Sequence, residues 1–90
     1  MDAFDLTRIA RIRASLATAG FSTEGDEEQG TFEALIPADN TRLEVTCRNG
    51  VTTVARVMPS GHISANVVFS GMPSDVVVDA VVAMARSLEA

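Results

Sequence analysis

The stretch that decides the fold is Thr41-Arg42-Leu43-Glu44-Val45-Thr46-Cys47-Arg48-Asn49-Gly50-Val51-Thr52-Thr53-Val54-Ala55-Arg56-Val57. Its first half alternates, with Leu43, Val45 and Cys47 on one side and Arg42, Glu44, Thr46 and Arg48 on the other. Side chains of a strand point to opposite faces in turn, so this is a strand with one buried face. Asn-Gly between two such runs is a strong hairpin signal, because both residues tolerate positive φ. A two-residue turn would put Val54 and Arg56 on the core face beside Val45 and Leu43. A three-residue loop with Gly50 left-handed would instead put Val51, Thr53, Ala55 and Val57 inward. The second is the expected register, because it buries no arginine.

Working outward, Pro59-Ser60-Gly61 reads as another three-residue loop. It pairs Met58 with His62 on the open face. It then pairs Val57 with Ile63, Ala55 with Ala65, Thr53 with Val67 and Val51 with Phe69 on the inner face. Upstream, Thr31–Ile36 places Phe32, Ala34 and Ile36 on one face, and Pro37-Ala38-Asp39-Asn40 is turn chemistry. A short extra strand at Phe21–Glu24 is a further candidate.

The ends read as helices. From Phe4 to Ala19, Leu6, Ile9, Ile12, Leu16 and Ala19 recur at three- and four-residue spacing, with Arg8, Arg11, Ser15 and Thr18 opposite. Gly20 follows as a left-handed cap. Pro73 suits a helix start, and a helix to about Leu88 buries Val77, Ala80, Val81, Met84 and Leu88. Five of the seven residues from Val76 to Val82 are valine, a poor helix former, but length and Asp79 favour a helix. The expected fold is one α+β domain over residues 1–90. It is two-layered, with an antiparallel four-stranded meander sheet and the N- and C-terminal helices packed on one face, in the order α-β-β-β-β-α.

Composition bounds the function. Ninety residues support one core, and a formal charge of −5 gives little general attraction for nucleic acid. The longest run without Asp, Glu, Lys or Arg is Val57–Ser74, and its Pro59, Gly61, Asn66, Gly71 and Pro73 exclude a spanning helix. No continuous apolar stretch follows the N-terminal arginines, so no secretory leader is visible and a cytoplasmic location is expected. All seven basic residues are arginine, and Ala and Val abound, a bias associated with high-GC bacterial or phage genomes.

Chemical motifs are sparse. One cysteine excludes an intrachain disulfide, and one His with one Cys falls short of a zinc ligand set. The glycines sit singly at turns, without a phosphate-binding pattern. No cofactor is therefore expected. Cys47 and His62 would need hydrogen-bond reach to act as nucleophile and base, yet the expected register places them on opposite faces. Asp26-Glu27-Glu28 lacks the spacing of a calcium loop. Glu33 and Glu44 oppose each other across the first hairpin, the arrangement of a catalytic carboxylate dyad unless a cation such as Arg42 neutralises them.

The favoured expectation is a small non-enzymatic protein-binding module, an adaptor, chaperone or phage-type inhibitor acting on another protein or as a homodimer. The expected contacts are the acidic loop (Glu24, Asp26, Glu27, Glu28), the open sheet face (Leu35, Val54, Met58, Val68) and the outer side of the last helix (Val78, Val82). Two alternatives stand beside it. One is a nucleic-acid-associated protein using Arg8, Arg11, Arg13, Arg42, Arg48 and Arg56; the other is an enzyme with an unrecognised site around Glu33 and Glu44 or Cys47.

Overall fold

A computed structural model describes residues 2–89. Helix α1 (Ala3–Thr18) leads into five strands, β1 (Thr23–Glu24), β2 (Thr31–Ile36), β3 (Thr41–Arg48), β4 (Val51–Val57) and β5 (Ile63–Phe69), and then α2 (Ser74–Glu89). A 3-10 turn, Glu27–Gln29, links β1 to β2. The strands form one antiparallel sheet in sequence order. The expected α+β architecture is therefore present, with a fifth strand supplied by the two residues of β1. An odd number of antiparallel strands returns α2 in the direction of α1, so Arg8 meets Ser74 and Arg11 meets Asp75.

Turn chemistry sets the central register. Asn49 (φ 54°) and Gly50 (φ 77°) both take the left-handed conformation, and Arg48 pairs with Val51. This is the two-residue turn, not the three-residue loop expected above. Leu43 consequently pairs with Arg56, Val45 with Val54 and Cys47 with Thr52. Thr52 and Val54 lie in the core, while Val51, Thr53 and Val57 are only half-buried. Two features offset the polar groups that this register turns inward. The Thr52 hydroxyl meets Arg8 and Cys47, and Arg56 reaches out of the core to pair with Asp39. Among the described residues, the inward Arg56 still leaves its buried Nε without a partner.

The β4–β5 hairpin begins as expected, with Met58 N–H donating to the His62 carbonyl and Val57 opposite Ile63. A bulge then intervenes at Ser64. Beyond it Arg56 pairs with Ala65, Val54 with Val67 and Thr52 with Phe69. Ile63 follows its partner Val57 to the outer face, and the extra residue returns Ala65, Val67 and Phe69 to the inner one.

The helices are rotated relative to the expected stripes. In α1 the buried face is Asp5, Arg8, Ile9, Ile12 and Leu16, while Leu6 is exposed. Arg8 is only 2% exposed and does not belong to a solvated stripe. It donates to Ser74 Oγ (3.0 Å), Thr52 Oγ1 (3.3 Å) and the Met72 carbonyl (2.7 Å). Its guanidinium also lies over the Phe4 ring. In α2 the buried set is Val77, Val78, Val81 and Ala85, with Ala80, Met84 and Leu88 packed at the margin. These side chains join Phe21, Phe32, Ile36, Leu43 and Val45 in one cluster between helices and sheet.

Candidate functional site

The sheet has two edges, and they differ. β1 is two residues long, carries Glu24, and continues into the acidic Asp26-Glu27-Glu28 turn. Shortness and charge are the usual protections of a sheet edge against pairing with another chain. β5 has neither. It is seven residues long and reads Ile63-Ser64-Ala65-Asn66-Val67-Val68-Phe69, without a charge or a proline. Phe69 is in the core, but the other large side chains are open to solvent on both faces: Ile63 (52% exposed) and Val68 (58%) outward, Val67 (40%) inward.

The hydrogen-bonding groups of that edge follow from the turn. A two-residue turn makes Arg48 and Val51 a hydrogen-bonded pair, and such pairs alternate along an antiparallel ladder. Thr52, Val54 and Arg56 therefore turn their peptide groups toward β5. Their partners Phe69, Val67 and Ala65 turn theirs toward β4. Asn66 and Val68 are left with both N–H and C=O facing away from the sheet.

Above the inner side of β5 the helix layer stops short. A cleft of about 210 Å³ lies there, lined by Val54, Ala65 and Val67 from the sheet and Met84, Ser87 and Leu88 from α2. On the outer side, Leu35, Arg42, Val57 and Ile63 form one row across β2 to β5, and Thr31, Thr46, Thr53 and Val68 another. The apolar character of this face is concentrated toward β5, and its acidity toward β1, where Glu24, Glu33 and Glu44 share a row.

The residues singled out from sequence are dispersed. Leu35 and Val68 lie on the outer face, half-buried and exposed respectively. Val54 does not: at 1% exposure it is a core residue, because the two-residue turn reverses the faces of β4. Val78 is buried too, since α2 turns it toward α1 and the sheet. Val82 is partly buried and lines a shallow groove between the helices with Ala14, Thr18 and Ala83. Glu24 sits on β1 beside Arg42 (3.6 Å), and Asp26 caps the 3-10 turn by accepting the Glu28 N–H. Glu27 lies 3.6 Å from Arg13, and Glu28 is exposed. This acidic group and the β5 strip occupy opposite edges, so one strand-like partner cannot span both.

Other chemistry can be located just as directly. Cys47 is fully buried, 3.4 Å from Thr52 Oγ1, and burial pushes its thiol pKa up. That is the reverse of an activated thiolate, and His62 is a solvent-exposed loop residue. Glu33 and Glu44 are opposed as expected, with Arg42 3.3 Å from Glu33. Among the described residues, no group of three or more His, Cys, Asp or Glu side chains could hold a metal ion. No helix there is long and apolar enough to cross a membrane. Of the arginines considered for nucleic acid, Arg8 is buried. Arg11 pairs with Asp75, Arg13 with Glu27 and Thr23, Arg42 with Glu24 and Glu33, and Arg56 with Asp39, while Arg48 is exposed on the outer face.

Comparisons with protein-family models, with curated proteins and with solved structures find no match for this chain.

Sequence reading placed Val68 on the open face but treated Ile63, Ala65, Val67 and Phe69 as core, so it did not single out the β5 edge as the contact. The signal was present: the longest uncharged run, Val57–Ser74, contains the whole strand. It excluded a spanning helix, but it also marks the one edge that carries no protecting charge.

Proposed function

We propose that this chain is a small non-enzymatic protein-binding module of the adaptor, chaperone or inhibitor kind, acting in the cytoplasm. Its contact strip is the free edge of β5 together with the cleft beneath α2. The observation that carries this reading is the seven-residue uncharged edge strand, with Asn66 and Val68 peptide groups unpaired within the sheet. An exposed edge recruits an extended segment through main-chain hydrogen bonds, and neighbouring pockets select its side chains. The intramolecular engagement of Arg8, Arg11, Arg13, Arg42 and Arg56 weighs against the nucleic-acid alternative, because phosphate binding needs free cations. The acidic group at Glu24, Asp26, Glu27 and Glu28 remains a second, separate contact for a basic partner.

The test is retention of host proteins by the tagged chain, wild type against Val68→Pro. Proline removes one outward N–H from the edge without adding charge. Loss of a retained protein, with circular dichroism unchanged, supports the edge as the contact. A retained set identical for both chains overturns the edge as a contact for another protein. The charge reversal of Glu24, Asp26, Glu27 and Glu28, run in parallel, reports on the acidic contact independently.

A further inference from the structure

We infer that the occupant of the β5 edge is a second copy of this chain, paired antiparallel about a two-fold axis at Val67. The inference rests on the protein-binding reading of β5 and names its partner.

Three observations lead there. First, each copy has one usable edge. β1 is two residues long and acidic, so a β5–β5 pairing consumes both long edges and closes at two copies instead of propagating. Second, the charge distribution permits self-approach. A chain of formal charge −5 repels its copy, yet β5 and its flanks carry no Asp, Glu, Lys or Arg from Val57 to Ser74. Pairing through β5 places the two acidic β1 edges at opposite ends of a ten-stranded sheet. At about 4.8 Å per strand they are roughly 43 Å apart, several times the screening length of about 8 Å in physiological salt.

Third, the register is self-complementary. Residues that pair across an antiparallel ladder share a face, so a symmetric pairing must centre on a residue and not between two. Centring on Val67 opposes Asn66 to Val68 of the second copy, and the reverse, which are the residues whose peptide groups face outward. Two such hydrogen-bonded pairs give four inter-chain N–H···O bonds. Val67 then meets Val67 as a non-hydrogen-bonded pair, with Cα atoms about 4.5 Å apart. Ala65 meets Phe69 on the inner face, beside the clefts. All five residues, Ala65 to Phe69, lie beyond the Ser64 bulge, where the face alternation is unbroken.

The two-fold at Val67 makes a register-specific experiment available. Light scattering during size exclusion, across micromolar to millimolar concentration, should give the wild type twice its 9.5 kDa chain mass. Val67→Arg and Val67→Glu each place like charges against one another at the axis. Each alone should run as a monomer, and an equimolar mixture should recover the dimer. Val67 is 40% exposed, so both variants should keep the wild-type circular dichroism. As a second readout, Val67→Cys should oxidise to a disulfide-linked dimer, because the non-hydrogen-bonded distance suits the bridge, whereas Val68→Cys should not. A monomeric wild type throughout overturns the inference, as does a dimer that Val67→Arg leaves intact or a mixture that stays monomeric. A monomer that still loses a captured protein on Val68→Pro refutes self-pairing alone. A dimer dissolved by Val67→Arg, whose captured proteins ignore Val68→Pro, supports self-pairing and refutes the heterologous contact.

Discussion

The carboxylate of Asp5, in the first turn of α1, accepts the backbone N–H of Gly50 at 2.9 Å, across 45 residues of sequence. Its other oxygen accepts the Asn49 N–H, also at 2.9 Å. A two-residue turn leaves both of these amides without a partner in the ladder, so one carboxylate satisfies two donors at the hairpin tip. This contact ties the first helix to the turn that sets the register of the sheet. Asp2, capping α1 through the Asp5 N–H, holds the helix start in place for it.

Asp5→Ala leaves the two turn amides without their acceptor and should cost about 2 kcal/mol. For a domain of this size the melting temperature should fall by roughly 8–16 °C. Asp5→Asn keeps one acceptor oxygen and turns an amide donor toward the other N–H, so it should also destabilise the fold. Thermal unfolding followed by circular dichroism measures both, and an unchanged midpoint for Asp5→Ala would refute the role.

Arg8 fastens the segment between β5 and α2 through the Met72 carbonyl and Ser74 Oγ, and it satisfies Thr52 within the core. Lysine carries a charge but not the planar fork that reaches three acceptors. Arg8→Lys should therefore lose about 2 kcal/mol and increase amide exchange at residues 70–77. Exchange confined to the rest of the chain would contradict this assignment.

The two-residue register makes Val54 and Val68 unequal. Val54→Ala removes two fully buried methyl groups and should cost about 1.5 kcal/mol before any cavity term. Val68→Ala, at a side chain 58% exposed, should leave the stability of the isolated chain nearly unchanged. Denaturant midpoints compare the two directly, and equally small losses would restore the three-residue register, which puts both side chains on the open face.

Asp39 accepts from both the hydroxyl and the N–H of Thr41 and pairs with Arg56. The Thr41 hydroxyl, followed by Arg56 and the Thr41 N–H, outweighs desolvation and holds the Asp39 carboxyl below its usual pKa. A carboxyl depressed in the folded state stabilises the fold above its unfolded pKa, and this stability is lost as pH falls through the folded value. Thr41→Val should move the Asp39 titration, followed by carboxyl NMR shifts, toward the ordinary range. The stability gap between wild type and variant should narrow in acid.

Cys47 gives the mirror-image case. Its buried thiol has a raised pKa, so its stabilising effect is complete below the ordinary thiol range and fades as pH rises through the folded value. Native protein should resist thiol reagents near neutral pH and react on unfolding. Cys47→Ala should flatten the alkaline loss of stability. Rapid labelling of the folded chain would show the thiol to be accessible.

Local chemistry alone determined the order of α1, the four long strands and α2, the boundaries of both helices to within a residue or two, and the inner faces of β2 and β3. Each depends on near neighbours. Phe32, Ala34 and Ile36 alternate with polar residues, and Gly20 (φ 98°) stops α1 where a left-handed residue is needed. The Glu33–Glu44 opposition followed from the length of one turn. The face of β4 did not follow, because the cost of turning Arg56 and Thr52 inward depends on residues distant in sequence. Asp39 draws the Arg56 guanidinium outward, and Arg8 and Cys47 satisfy Thr52. The bulge at Ser64 and the shortfall of the helix layer over β5 are likewise properties of packing. An alternating apolar strand reads the same whether a helix covers it or not. Tertiary structure decided that Val67 and Val68 belong to an open edge, because two sixteen-residue helices do not cover the inner face of β5.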